Sequence, residues 1–145
     1  MNKAKKLLDY LLSSPLSLKR DDVLIVLTDG KAVSYPSASN PHFSMHYNAN
    51  VLIQDYTGSA DALLFIVLKW LQTAQPDHRE DALQFETDML DHQRADITLK
   101  ISLQEVIKVS EDSAGIQLNH VDDPSLEPVT IPGTLQELYA NGELL

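Results

Sequence analysis

The chain has 145 residues, of which 43% are hydrophobic, and a length of this kind fits one domain with its own core. It has no cysteine, which excludes disulfides, Cys-ligated zinc or iron–sulfur sites and a Cys nucleophile. Its formal net charge of −10 argues against a general nucleic-acid binder, because phosphate contacts need basic surface.

The first predicted element is a short amphipathic helix over residues 3–12, whose leucines recur at helical spacing. We expect Lys3, Lys5 and Lys6 on its outward face. Residues 1–20 carry a net charge of +4, so the remainder of the chain carries −14. Two interpretations stay open: a solvated basic helix, or an electrostatic docking element for an acidic partner or a second copy of this chain.

Strands are predicted next. Residues 23–27 are an aliphatic run, and Asp29-Gly30 is a hairpin signal that predicts a returning strand over 31–35. Residues 42–54 alternate between apolar and polar side chains, which indicates a long antiparallel strand with one solvated face. The apolar face carries Phe43, Met45, Tyr47, Ala49, Val51 and Ile53; the polar face carries His42, Ser44, His46, Asn48, Asn50 and Gln54, with Leu52 as the exception.

A central helix is predicted from Ser59, a suitable N-cap, to about Gln75, just before Pro76. Two apolar stripes cover most of its circumference, so we expect it to be buried on more than one side. The main stripe is Ala60, Leu63, Leu64, Val67, Leu68 and Leu71, and the second is Ala62, Ile66 and Trp70.

Alternating patterns predict further strands over residues 83–89 and 97–103, a bulge near Gln104-Glu105 where the phase changes, and a weaker strand over 116–121. Short turns between these strands imply an antiparallel meander. The segment 122–145 is acidic and punctuated by prolines, and a capping-box pattern starts a short helix at Thr134. This segment either docks on its own domain or reaches a neighbouring subunit.

The order of elements predicts an α+β fold: a mostly antiparallel sheet with helices on one face, plus an extended C-terminal arm. We expect one domain over residues 1–121 and the arm over 122–145. Periodicity alone predicts a core containing Phe43, Tyr47, Val51, Ile53, Leu64, Leu68, Leu71, Phe85, Ile97, Leu99 and Ile101.

No specific catalytic motif is present in the sequence, and we expect no catalytic site, metal site or cofactor. His42 and His46 lie four apart on one strand face, about 13 Å from each other at about 3.3 Å per residue, which is too far for one metal ion. The acidic pairs lack the patterned oxygen donors and glycine of a calcium loop. The longest apolar stretch, residues 62–71, contains Lys69 and is half a membrane span, so no membrane partner is expected.

Two linked groups of segments carry a family resemblance. The first is Asn50-Val51-Leu52-Ile53-Gln54-Asp55-Tyr56-Thr57-Gly58, followed by Asp61-Ala62-Leu63-Leu64, Trp70-Leu71 and Gln75-Pro76. The second is Phe85-Glu86-Thr87-Asp88-Met89-Leu90-Asp91, followed by Ala95-Asp96-Ile97-Thr98-Leu99 and Leu103-Gln104-Glu105-Val106. In this order, over about residues 20–110, they resemble the tail completion protein R (GpR) family of contractile-tailed phages.

The resemblance implies a non-catalytic role in virion assembly, finishing the tail so that it joins a head. The implied partners are phage tail proteins, either the tail tube or neighbouring completion proteins, and further copies of this chain arranged as a ring. It also implies a virion-tail location after assembly in the host cytoplasm. A prophage in a bacterial genome would be an ordinary source of such a protein.

For an assembly protein, the polar sheet face and the basic helix are the expected contact surfaces, because a transient interface is no more apolar than ordinary surface. The candidate residues are Lys3, Lys5, Lys6, His46, Asn48, Leu52, Glu86, Leu90 and Lys100. Two other classes stay open. One is a small enzyme that depends on His46, Asp55 or His92, and the other is a monomeric adaptor with a ligand pocket between the Trp70 helix and the sheet.

Overall fold

The computed structural model describes residues 1–34, 39–123 and 125–133. Within these ranges lie two α-helices, one 3-10 turn (Arg20–Asp22) and six β-strands. In chain order they are α1 (Asn2–Leu12), β1 (Val23–Ser34), β2 (Phe43–Tyr56), α2 (Ala60–Ala74), β3 (Leu83–Met89), β4 (Ala95–Asp112), β5 (Gly115–His120) and β6 (Val129–Ile131).

The strands form one sheet in the order β1-β2-β4-β5-β6, and β3 pairs with β4 outside this path. The pairing of β3 with β4 is antiparallel, with Leu83 opposite Ile101 and Met89 opposite Ala95. β5 is antiparallel to both β4 and β6. The fold is therefore α+β, which confirms the predicted class.

The chain divides into two compact units. The first comprises residues 1–31 and 46–104, and so contains both helices and β3. The second comprises residues 32–45 and the described residues from 105 onward, including β5 and β6.

The core of the first unit lies between the two helices and one face of the sheet. The odd-numbered side chains of β2 from Tyr47 to Ile53 and of β4 from Ala95 to Leu103 point into it, as their alternation predicts. Tyr47, Val51, Ile53, Leu71, Ile97, Leu99 and Ile101 are buried as predicted, together with Leu7 and Leu11 of α1 and Leu63, Val67 and Trp70 of α2.

Two residues predicted for the core are exposed, Leu68 by 38% and Phe85 by 53%, and Phe43 and Leu64 are only half-buried. The buried line of α2 runs through Leu63, Val67, Trp70 and Leu71, which turns Leu68 outward. The helix is therefore less enclosed than its apolar circumference predicts. Phe85 is exposed because it lies on β3, which has β4 as its strand partner and lies outside the main strand order.

The predicted hairpin at Asp29-Gly30 is wrong. β1 continues through these residues to Ser34, and Asp29 takes a left-handed conformation with φ 55° inside the strand. The side chain of Asn48 on β2 donates a hydrogen bond from Nδ2 to Asp29 Oδ2 over 2.9 Å. This cross-strand contact holds the distorted residue in place, so the local turn signal does not end the strand.

The predicted bulge at Gln104-Glu105 is also absent from the burial pattern, which keeps its odd-numbered phase through Ile107. Glu105 simply occupies an inward position. It is 2% exposed, and its Oε1 lies 3.3 Å from Nδ1 of His120 on β5. The sequence pattern changes phase here only because an inward position is filled by a carboxylate, which lies beside the polar side chain of His120.

The described part of the C-terminal arm contains a short strand that the sequence did not predict. β6 pairs with β5, placing Val129 opposite Leu118 and Ile131 opposite Ile116. The helix predicted from Thr134 lies outside the described residues. Of the helices in the described ranges, none has the length and apolarity that crossing a membrane requires.

The two leucines three residues apart on α2 give a direct test of this packing. Leu71→Ala removes a fully buried side chain and should lower the free energy of unfolding by about 2–5 kcal/mol. Leu68→Ala removes one that is 38% exposed and should cost about 1 kcal/mol or less. Urea unfolding measures both, and equal losses would contradict the orientation of α2.

Candidate interaction surfaces

Across β2 and β4 the sheet face opposite the helices is polar, and its side chains bond to one another, whereas on β1 the same face carries the exposed Leu24 and Val26. Asn48 Oδ1 accepts a hydrogen bond from Ser102 Oγ over 3.2 Å, which joins β2 to β4. Asn50 Nδ2 donates to Thr28 Oγ1 over 2.7 Å, which joins β2 to β1. These contacts order the open face before any partner binds.

The β3–β4 register places two of the candidate residues, Glu86 and Lys100, on the face opposite the buried Leu99 and Ile101. In the β3–β4 register, Glu86 lies opposite Thr98 and Lys100 lies opposite Gln84. Glu86 and Lys100 are therefore diagonal neighbours of opposite charge on one face. Leu52 is half-buried on β2 and Leu90, just after β3, is 43% exposed.

The basic helix differs from expectation at Lys3. Lys5 and Lys6 are exposed, but Lys3 is only 8% exposed, and its Nζ donates to Gln75 Oε1 over 3.1 Å. The expectation that Lys3 faces outward is therefore wrong. The long Lys3 side chain on the inner edge of α1 reaches a buried amide, whose oxygen accepts a hydrogen bond from the ammonium group.

Gln75 acts as a buried junction at the end of α2. Its Oε1 also accepts the backbone N–H of Gln104 over 2.8 Å, and its Nε2 donates to the Ser102 carbonyl over 3.2 Å. One amide therefore connects α1, α2 and β4. The Gln75-Pro76 pair that contributes to the family resemblance has this structural role.

The end of β2 is tied to the β3–β4 turn by charged groups. Asp55 takes a left-handed conformation with φ 52°, and its backbone N–H donates to Asp96 Oδ1 over 3.0 Å. Arg94 Nη1 lies 3.5 Å from Asp55, and its Nε donates to Asp91 Oδ2 over 2.9 Å. The guanidinium thus bridges the turn to the end of β2.

Asp91 organises the turn itself. Backbone N–H groups of Gln93 and Arg94 both donate to its Oδ1, each over 2.8 Å. These bonds lower the pKa of Asp91: the Gln93 amide has the largest effect, followed by the Arg94 side chain and the Arg94 amide. The same contact raises the pKa of Arg94.

Tyr56 and Gly58 form the connection from β2 into α2. The Tyr56 hydroxyl donates to the Ser59 carbonyl over 2.8 Å, and burial raises its pKa. Ser59 then caps α2 by accepting the backbone N–H of Ala62 over 3.3 Å. A Cβ on Gly58 would lie 2.6 Å from the Tyr56 hydroxyl, so any other residue would force the Tyr56 ring to move. The Asp-Tyr-Thr-Gly segment is therefore a structural joint.

Two open grooves, of about 470 Å³ and 490 Å³, flank this joint and share Tyr56, Thr57 and Arg94 in their walls. The first runs beside β3 and includes Met89, which is 68% exposed. The second runs beside the segment from Leu16 to Lys19. Trp70 is buried in the core and contributes to neither wall, so these grooves are not the pocket that the adaptor alternative expects.

The structure does not bring His46, Asp55 and His92 into one site. His92 lines the first groove, Asp55 the second, and His46 a separate small groove beside His78. Over residues 1–34, 39–123 and 125–133, no three His, Asp or Glu residues are grouped in a way that could hold a metal ion. In the second unit, His42 Nδ1 accepts the backbone N–H of Val109 over 2.9 Å.

The Gly58 joint gives a matched pair of variants. Gly58→Ala pushes a methyl group into the buried ring of Tyr56 and should lower the free energy of unfolding by about 1–3 kcal/mol. Gly30→Ala meets no atom within 4 Å and should stay within about 0.5 kcal/mol of the wild type. Thermal denaturation measures both stability changes. A Gly58→Ala variant as stable as the wild type would contradict the close contact between Gly58 and Tyr56.

The Asp91 turn predicts a specific pH dependence. Because the folded state lowers the pKa of Asp91 below its ordinary 3.8, the ionised carboxylate stabilises the fold above that pH. This contribution disappears as the pH falls through the folded pKa. The melting temperature of Asp91→Asn should therefore be lower than that of the wild type at neutral pH, and the difference should vanish in acid. A difference that persists in acid would contradict this assignment.

Comparison with known proteins agrees with the resemblance. The family described as P2 phage tail completion protein R (GpR) matches residues 1–124. Tail completion protein R of Escherichia phage P2 is 32% identical over 131 residues, which cover 86% of this chain and 83% of the phage protein. No solved structure shows a significant match. The chain therefore belongs to the P2 phage tail completion protein R family.

Proposed function

We propose that this protein completes the phage tail as an assembly protein that works by binding other tail proteins and not by catalysis. Family membership over residues 1–124 is the observation that carries the proposal. The virion tail is accordingly its site of action, and assembly takes place in the host cytoplasm. Several copies act together at the tail end, which is the arrangement that the family resemblance implies.

The open sheet face is the proposed contact surface for the tail partner. Asn48 and Ser102 hold each other in place, and Glu86 and Lys100 present opposite charges side by side. A surface that is ordered in advance loses little side-chain entropy on binding. Its polarity keeps the protein soluble until the partner surface is complete, and Leu90 offers an apolar anchor at the rim.

The basic helix is a second proposed contact, now limited to Lys5 and Lys6. Both are exposed at the N-terminal end of an otherwise acidic chain, so they favour an acidic partner surface. Exposed charges are screened over about 10 Å at 0.1 M salt, so this contact should weaken as salt rises.

The arrangement of titratable groups favours assembly over an enzymatic role. The enzyme alternative names His46, Asp55 or His92, and each of these residues lies in the wall of a different groove, so they do not act together on one substrate. The Asp55 carboxylate is also engaged by Arg94, whose Nη1 lies 3.5 Å from Asp55 Oδ1. General acid–base catalysis needs such groups within hydrogen-bond reach of one substrate atom.

The test separates the open face from the helix side of the molecule. Lys100→Glu and Leu90→Asp should each leave the melting temperature unchanged, because both residues are exposed. Each should reduce the yield of joined particles in a head–tail complementation assay at least tenfold. The matched changes Lys69→Glu and Phe65→Asp on the exposed side of α2 should leave that yield intact.

If the open-face variants complement fully, the tail contact lies on another surface. If tails lacking the protein already join heads, the tail-completion role itself is wrong.

A further inference from the structure

One edge of the sheet is an aliphatic strand. β1 is the terminal strand of the order, and among the described residues its strand partner is β2 alone. Every second backbone N–H and C=O of β1 therefore points away from the sheet. A strand in this position is a template for another strand unless something blocks it.

The usual blocking features are missing from residues 23–28. The sequence Val23-Leu24-Ile25-Val26-Leu27-Thr28 has no charged residue and no proline. Leu24 is 57% exposed and Val26 is 49% exposed. Natural edge strands usually carry lysine, proline or a bulge, or are covered. The first distortion comes only at Asp29, with its φ of 55°, so the regular run ends there.

The edge strand β3 differs from this run. It carries Glu86 and Asp88 on its open face, so a strand that paired there would bring its side chains against two carboxylates. β6 is only three residues long. The residues 23–28 therefore combine length, exposure and lack of charge.

We infer that residues 23–28 pair with the same residues of a second copy, as two antiparallel edge strands related by a two-fold axis. A second copy supplies a strand of equal length with equally apolar side chains. The net charge of −10 makes copies repel each other wherever carboxylates meet. The run 23–28 contains no carboxylate, and the acidic residues Asp22 and Asp29 lie at its two ends, so only the middle of this contact is free of acidic groups.

The pairing has a definite geometry. When the two-fold axis is perpendicular to the sheet, both open faces stay on the same side. Side-chain alternation then pairs even-numbered residues with even-numbered ones and odd with odd. One residue of the run must therefore face its own copy, with Cβ atoms about 4.5–5.5 Å apart.

The first test changes the charge of the edge. Light scattering of the purified full chain should show a dimer that Val26→Lys converts to a monomer, with the circular dichroism spectrum unchanged. Phe65→Lys is the matched control, because Phe65 is an exposed apolar residue on α2. It should remain dimeric. A wild-type chain that stays monomeric as its concentration is raised, or a dimeric Val26→Lys variant, overturns the inference.

The second test identifies the register and uses the natural absence of cysteine. Single-cysteine variants at positions 24 to 28 are oxidised and separated without reductant. The pairing expects one position to form a covalent dimer at least tenfold faster than Phe65→Cys. Uniformly slow cross-linking along the run overturns the two-fold pairing, and would be the result if a strand of a different tail protein occupied this edge.

This inference rests on the proposed function and extends it by naming a contact that joins copies in pairs, and a ring built from such pairs would use a second surface as well. Its failure is distinguishable from failure of the tail role. The light-scattering and cross-linking measurements use the purified chain without any tail component. If the protein is monomeric and still completes tails, the edge pairing is wrong and the proposed function is unaffected.

Discussion

Burial of one sheet face beneath two helices is the constraint on which the rest of the structure depends. The odd-numbered side chains of β2 from Tyr47 to Ile53 and of β4 from Ala95 to Leu103 form one cluster with α1 and α2. A register slip of one residue would expose this whole set and bury the polar set, so the pairing is strongly specified. The even-numbered side chains are consequently left on the open face, where Asn48, Asn50 and Ser102 bond to neighbouring strands.

The joint at the end of β2 depends on that packed layer but has its own chemistry. Near the end of β2, Asp55 takes a left-handed conformation. The absence of a side chain at Gly58 leaves room for the Tyr56 hydroxyl, and Arg94 pairs with Asp55 from the adjacent turn. Together they set where α2 begins relative to the sheet. Residues of one segment that carries the family resemblance are therefore used to build the fold, and the grooves beside them are a consequence of that joint.

Charge distribution gives the surfaces different chemical properties. Most of the chain is acidic, so contacts between molecules are restricted to surfaces where charge is balanced or missing. The open face balances Glu86 against Lys100, and the run from Val23 to Thr28 has no charge at all. An assembly protein of this kind separates a polar recognition surface from an apolar edge, and each is suited to a different partner.

Alternation and helical spacing in the sequence determined the α+β class, the inward faces of β2 and β4, and the open-face positions of His46, Asn48 and Lys100. Only the tertiary structure decided the orientation of α2, the exposure of Phe85, the continuity of β1 through Asp29-Gly30 and the burial of Lys3. Periodicity reports which residues share a face of one element, because it depends on backbone geometry alone. Which face is covered, and which strand lies at an edge, depends on neighbours that are distant in the chain and supply the partners, as Asn48 does for Asp29 and Gln75 for Lys3.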